Sequence, residues 1–225
     1  DLFKEQNLVL NEPTFLSIGC GSGALETYLA LQHGMTGCAL DPSPDLLASF
    51  HARVKDKTIQ DRIAIVESTL EAWEPSGASF DCAFSIHSWY YVTDPIRQIE
   101  KVLSSLKSGS PLFISMTYFE SYTNRSCRMQ GRGDITLGYI DHLIEMLQKA
   151  GIEFTVNERR QKVGRVELDD TDQLTEQAAR RLAYYLRKPE EELTAEERQR
   201  QVRFILDNYE LGSDIELYGD VIIRA

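Results

Sequence analysis

The sequence predicts an α/β fold, a mostly parallel sheet with helices on both faces. An apolar run of Phe15, Leu16 and Ile18 breaks into glycines at alternate positions, Gly19, Gly21 and Gly23, and a helical pattern follows at once. Strand-like and helix-like stretches then alternate as far as residue 116, the order that builds a parallel sheet. The run Phe80–Ile86 is apolar except at Asp81, Cys82 and Ser85, as in a strand covered on both faces.

The elements follow in chain order. The first strand ends at Ile18, and the glycines bring the chain into a helix over Ala24–His33. Glycine has no Cβ to collide with a bound group, and the first N–H groups of a helix point at it. Thr36–Leu40 reads as the second strand, with Asp41 at its carboxyl end, where an acidic side chain can accept from both ribose hydroxyls. Helix Asp45–Lys57 carries Leu46, Leu47, Phe50 and Val54 at helical spacing. Strand Arg62–Val66 leads to Ser68, Thr69 and Leu70, and strand Phe80–Ile86 leads to His87. Helix Pro95–Leu106 stops at Lys107-Ser108-Gly109, and strand Pro111–Met116 follows. In such a sheet ligands lie outside the carboxyl ends of the strands, where Gly19–Gly23, Asp41, Ser68 and His87 all fall.

Beyond residue 117 the alternation lapses. Residues 118–134 are polar and irregular, and they bring Tyr118, Phe119 and Tyr122 into a candidate substrate loop. A helix over Leu137–Ala150 closes at Gly151, and strand Ile152–Asn157 follows. Asp172–Glu210 reads as two amphipathic helices, the second opened by a capping box from Thr194 to Glu197. Ile215–Arg224 is a last strand. The layout predicts a single domain over 1–225, with a helical substrate cap inserted at about 158–212.

Composition narrows the partners. The net charge of −11 repels phosphate backbones and speaks against nucleic acid. No apolar run approaches the roughly 20 residues that span a bilayer, and no signal peptide is recognisable, so no membrane partner is expected. Cys20, Cys38, Cys82 and Cys127 are scattered, without metal-ligand spacing. They read as reduced thiols of a cytoplasmic protein without a metal. Asp169, Asp170 and Asp172 read as an acidic turn, and Glu190–Glu192 as solvated surface. Nothing in the sequence sets an oligomeric state.

Two cofactors fit the glycine turn. Gly19, Gly21 and Ala24 satisfy the nicotinamide pattern G-x-G-x-x-A, and Gly19, Gly21 and Gly23 satisfy the G-x-G-x-G of S-adenosylmethionine enzymes. Tyr184 and Lys188 form the Y-x-x-x-K of short-chain dehydrogenases, but they lie in a charge-rich helix near the chain's end. The late antiparallel strand favours S-adenosylmethionine.

Leu16-Ser-Ile-Gly-x-Gly-x-Gly23, Asp41-Pro42-Ser43, Tyr90-Tyr91-Val92 with Asp94, and the pattern over Leu137–Gly151 resemble class I S-adenosylmethionine-dependent methyltransferases. Within that class they are similar to histamine N-methyltransferase and its relatives. The resemblance implies a Rossmann-like sheet of seven strands, mostly parallel, with the last strand antiparallel. It implies that Gly19, Gly21 and Gly23 hold the methionine part of the cofactor and that Asp41, with Pro42, holds the ribose. Ser68, Thr69, Leu70 and Ile86 would flank the adenine end, and His87 would border the cofactor on the substrate side. Ser17 stands where the wider class has an acidic residue, as it does in the histamine branch. His87 and Glu216 replace amides that bind substrate in that branch. The region that covers the substrate there corresponds to a short stretch here, Asp1–Glu12, and a truncated lid is expected.

The expected chemistry is methyl transfer to a small molecule, foremost an amine nitrogen. His87 is the candidate proton acceptor. Trp89, Tyr90 and Tyr91 could wall a cationic acceptor, and Glu216 could pair with its ammonium. Each also has an ordinary structural use, as a surface histidine, as helix-start packing or on the solvent face of an edge strand. Methyl transfer to oxygen, a catalytically silent cofactor-binding subunit and a nicotinamide oxidoreductase are the alternatives.

Overall fold

Strand β1 (Thr14–Ile18) carries the apolar run and pairs in parallel on both sides, with β2 (Thr36–Asp41) and with β4 (Cys82–Ile86). β3 (Ile63–Glu67) pairs in parallel with β2, and β5 (Pro111–Thr117) with β4. The computed structural model describes residues 13–55, 57–75, 77, 79–129, 139–162, 176, 179–180, 182–183, 189–210 and 215–225. With β6 (Thr155–Lys162) and β7 (Ile215–Arg224), the strand order is β3-β2-β1-β4-β5-β7-β6. β7 runs antiparallel to β5. The Ala225 N–H donates to Ser110 O at 3.0 Å at one end, and the Tyr118 N–H to Leu217 O at 3.0 Å at the other. The expected seven-stranded, mostly parallel sheet with an antiparallel last strand is therefore borne out.

The chain divides into two compact units. The first comprises residues up to Met116 with His142–Val156 and Asp220–Ala225. Its core gathers Phe15, Phe50, Phe84 and Phe113 with Leu29 and Ile63. Helix α1 (Ala24–His33) starts at Gly23 and ends on Gly34 in the left-handed region. Helix α2 (Pro44–Arg53) is capped by the Ser43 hydroxyl, has proline in its first turn and buries Leu47 and Phe50. The sequence predicts this helix as far as Lys57. It stops instead at Arg53, where Val54 is turned into the core, and a short helix α3 (Lys57–Gln60) follows. Helix α4 (Pro95–Leu103) and helix α6 (Ile140–Ala150) also start or stop close to their predicted ends, α5 being the helix at Tyr122–Met129.

An ion pair between buried Asp81 and half-exposed Lys107 holds the foot of the sheet. The Asp81 carboxylate, 5% exposed, accepts from the Thr14 N–H at 2.9 Å, the Thr14 hydroxyl at 2.8 Å and Lys107 Nζ at 2.7 Å. Burial alone would raise this carboxyl, but the Lys107 and Thr14 hydrogen bonds outweigh burial and hold it below its ordinary range. A depressed folded value means that the stabilisation is complete above the unfolded pKa of about 3.9 and is lost as pH falls below it. Asp81→Asn should cost about 1–3 kcal/mol at pH 7. Denaturant melts should show the gap to wild type closing below about pH 4. A gap that stays constant down to pH 2 would show that the ion pair contributes nothing.

The second unit comprises Thr117–Asp141 and Asn157–Gly219, which include the predicted loop at 118–134 and most of the predicted insertion. The sequence predicts an irregular 118–134, whereas Tyr122–Met129 is helix α5. The reason lies far along the chain. The Thr123 N–H and hydroxyl each donate to Glu216 Oε2 at 2.9 Å, so a carboxylate 93 residues away caps the helix. Tyr122 is buried beside Phe204 and Ile205 of helix α7 (Ala195–Glu210). The predicted capping box opens α7, with Glu197 N–H to Thr194 Oγ1 at 3.1 Å and Thr194 N–H to Glu197 Oε2 at 2.8 Å. The first predicted amphipathic helix, Tyr184, Lys188, Asp169, Asp170, Asp172, Asp1–Glu12 and residues 130–134 lie wholly or mostly outside the described residues.

Candidate cofactor site

The three glycines sit in the left-handed region, with φ of +70° at Gly19, +56° at Gly21 and +72° at Gly23, but they serve different ends. A Cβ on Gly23 would come within 2.1 Å of the Phe50 ring, so this glycine lets the turn pack on α2. A Cβ on Gly19 would come within 2.2 Å of Ser88 Cβ. Of the three, Gly21 alone faces open space, with no atom of the described residues within 4 Å of the Cβ position. It is the point of the turn where another molecule's atoms can approach the backbone.

Asp41 fastens that point. Its carboxylate, 7% exposed, accepts from the Gly21 N–H at 2.8 Å through Oδ2 and from the Ser43 N–H at 2.9 Å through Oδ1. The Gly19 and Cys20 N–H groups both donate to Leu40 O, so the turn is stitched to the end of β2 along its length. Each Asp41 oxygen keeps a lone pair, which leaves the side chain able to accept from ribose hydroxyls as well.

On the other side of β1, Ser88 does comparable work. Its hydroxyl donates to Ile18 O at 2.6 Å and lies 2.6 Å from Ser85 Oγ. The sequence reading missed Ser88, because only the parallel pairing of β1 with β4 brings it to Gly19. It also missed Glu26, in the first turn of α1. The Ser17 hydroxyl donates to Glu26 Oε1 at 2.5 Å, and the carboxyl is 3% exposed. Burial pushes this carboxyl up, against the Ser17 hydrogen bond that lowers it. Burial, together with Glu26 and Asp41, likewise pushes the Cys20 thiol up, which makes it a poor nucleophile.

The remaining predicted residues fall as follows. Pro42 is exposed next to Asp41. The Ser68 N–H donates to Asp41 O at 3.2 Å, Thr69 is exposed and Leu70 is buried. Ile86 is 40% exposed at the end of β4. His87 has φ of +54°, a conformation rarely held by a residue with a side chain, and its N–H donates to Ser115 O at 2.9 Å. Its imidazole is exposed, stacked on the Tyr90 ring, with Nδ1 3.3 Å from the Tyr90 hydroxyl. Tyr91 is exposed, edge-on to Tyr90, while Trp89 is buried. These belong to the first unit. In the second, Phe119 is exposed with the Arg128 guanidinium 3.7 Å from its ring centre, and Tyr118 is half-buried. Tyr122 is in the core, and the buried Glu216 caps α5.

Among the described residues no cluster of His, Cys, Asp and Glu could hold a metal, and no helix is long and apolar enough to cross a membrane.

Comparison with known proteins bears on the family and the fold. Residues 15–109 match the model of a methyltransferase domain family. A tRNA U34 carboxymethyltransferase of Actinobacillus succinogenes is 25% identical over 115 residues, 51% of this chain and only 36% of that protein's own length. Phosphoethanolamine N-methyltransferase 2 of Haemonchus contortus, solved with phosphomonomethylethanolamine and S-adenosylhomocysteine, superposes with a TM-score of 0.63. It is 16% identical, over 99% of this chain and 51% of that one. An S-adenosylmethionine-dependent methyltransferase of Thermotoga maritima, a possible histamine N-methyltransferase, superposes with a TM-score of 0.52. It is 17% identical, over 99% of this chain and 86% of that one. Residues 15–109 thus resemble a methyltransferase domain, and the chain shares the fold of these S-adenosylmethionine-dependent methyltransferases.

Proposed function

We propose that this chain binds S-adenosylmethionine at the Gly19–Gly23 turn and transfers its methyl group to the nitrogen of a small amine. The observation that carries the cofactor is Gly21, open to solvent at φ +56° and held by the Asp41 carboxylate at the carboxyl ends of β1 and β2. When bound, that cofactor supplies a methyl carbon already activated by a sulfonium. The protein is left to hold the reactants in line, exclude water and receive a proton. Asp41 would take the ribose, and Ser68–Leu70 and Ile86 the adenine end.

His87 supports the amine reading. It is an exposed imidazole on a backbone held at φ +54° directly after β4, braced by Tyr90, and a neutral imidazole can take the proton that an amine sheds on methylation. Tyr90 and Tyr91 would offer π-faces to a cation. Tyr118 and Phe119 are proposed as acceptor-side residues of the second unit. Trp89, Tyr122 and Glu216 are spent on packing and capping within their own units, and their proposed part in substrate binding would be indirect. The fold is shared with an enzyme that methylates phosphoethanolamine nitrogen, which supports the same class of acceptor. The tRNA-modifying relative supports a nucleic-acid acceptor, which the net charge of −11 opposes.

Labelled-methyl incorporation separates these readings. Small primary and secondary amines should be methylated, while catechols, carboxylates and unfractionated tRNA should not. His87→Ala should lower turnover by roughly 10²-fold or more on the best amine and leave S-adenosylhomocysteine affinity within about twofold. Incorporation into tRNA alone, or equal turnover by His87→Ala, would defeat the amine reading.

A further inference from the structure

Residues 88–93 carry Trp89, Tyr90 and Tyr91 between β4 and α4. The segment is bounded by His87 and Asp94, the two non-glycine residues with positive φ among the described residues, at +54° and +48°. Each end is tied to a different loop. At its start the Ser88 hydroxyl donates to Ile18 O at 2.6 Å, next to the glycine turn. At its other end the Thr93 N–H and hydroxyl donate to Glu71 Oε1 at 2.7 and 3.0 Å, across 22 residues of chain. The Glu71 carboxylate also accepts from the Thr69 hydroxyl. Burial alone would raise this carboxyl, but the hydrogen bonds from Thr93, Thr69 and its own N–H outweigh burial and hold it below its ordinary range. Lys101 of α4 fixes the same loop, with Nζ donating to Leu70 O at 3.1 Å and to Glu71 O at 3.2 Å.

We infer that Glu71 is a positioning residue that couples the cofactor side of the site to the acceptor side, because it binds Thr69 on one loop and Thr93 on the other. This rests on the cofactor and acceptor readings above. The adenine end of the cofactor orders Ser68–Leu70, and the charge-assisted bonds of Glu71 carry that order to the segment that bears Tyr90 and Tyr91. The aromatic wall is then set before the amine arrives. Glu71 itself touches neither ligand.

Hydrogen exchange reads this coupling without any acceptor. The Tyr91 and Val92 amides bond to Ser88 O and Trp89 O, so they report the order of the segment itself. Saturating S-adenosylhomocysteine should slow their exchange in the wild-type protein by roughly tenfold or more. Glu71→Ala, saturated in the same way, should lose that slowing and keep the slowing at Gly21, whose amide reports the glycine turn. Glu71→Gln, which keeps shape and weakens the bonds, should show an intermediate slowing, and Thr93→Ser, which keeps both donors, the wild-type one. Equal slowing at Tyr91 and Val92 in wild type and Glu71→Ala would make Glu71 a brace of its own loop and overturn the inference. Wild-type amides left unchanged by bound S-adenosylhomocysteine would overturn it even if Glu71→Ala failed to fold. No binding of S-adenosylhomocysteine by wild type would remove the cofactor reading itself, and the coupling with it.

Discussion

Gly21→Val should abolish measurable S-adenosylhomocysteine binding while the protein still folds. The valine Cβ meets no atom of the described residues within 4 Å, so its methyls enter the space left to the ligand rather than the core. The cost to folding is the left-handed backbone at φ +56°, about 1–2 kcal/mol. Gly151→Val provides the control, since Gly151 at the end of α6 has φ of +69° and an equally open Cβ position. The two variants should lose similar stability, and only Gly21→Val should lose the ligand. Wild-type affinity in a folded Gly21→Val protein would take the cofactor away from this turn.

Asp41→Ala should weaken S-adenosylhomocysteine by about 1.5–3 kcal/mol, roughly 10- to 150-fold. Two effects combine. The ribose loses a charged acceptor, and the Gly21 and Ser43 N–H groups lose theirs, so the turn is also less well held before the ligand arrives. Isothermal titration with the wild type alongside reads the sum. Asp41→Asn retains one acceptor oxygen and should fall between the two. A loss below about twofold for Asp41→Ala would show that the side chain only braces the loop.

How much of this was legible in the sequence depends on how far apart the partners lie. The glycine turn, Asp41 and the capping box at Thr194 were readable because each is written within a few neighbouring residues. The strands of the parallel sheet were readable from their continuous apolar runs. Glu216 reads in sequence as one side of an alternating strand, and nothing local says that Thr123, 93 residues earlier, takes its carboxylate as a helix cap. For the same reason the polar segment Tyr122–Met129 reads as loop. Ser88 meets Ile18 across 70 residues, and only the strand order makes that pair. Ser17 and Glu26 are different, because they are nine residues apart and were open to reading. The three glycines looked alike, and only the structure separates the open Gly21 from Gly19 and Gly23, which admit Ser88 and Phe50.

The central claim is that the open glycine turn, tied down by Asp41, binds S-adenosylmethionine. Its most direct measurement is calorimetric titration of the wild-type protein with S-adenosylhomocysteine and, separately, with NAD. One equivalent of S-adenosylhomocysteine should bind with micromolar affinity, on the order of −8 kcal/mol, and NAD should give no heat of binding. Saturable binding of NAD with none of S-adenosylhomocysteine would contradict the account.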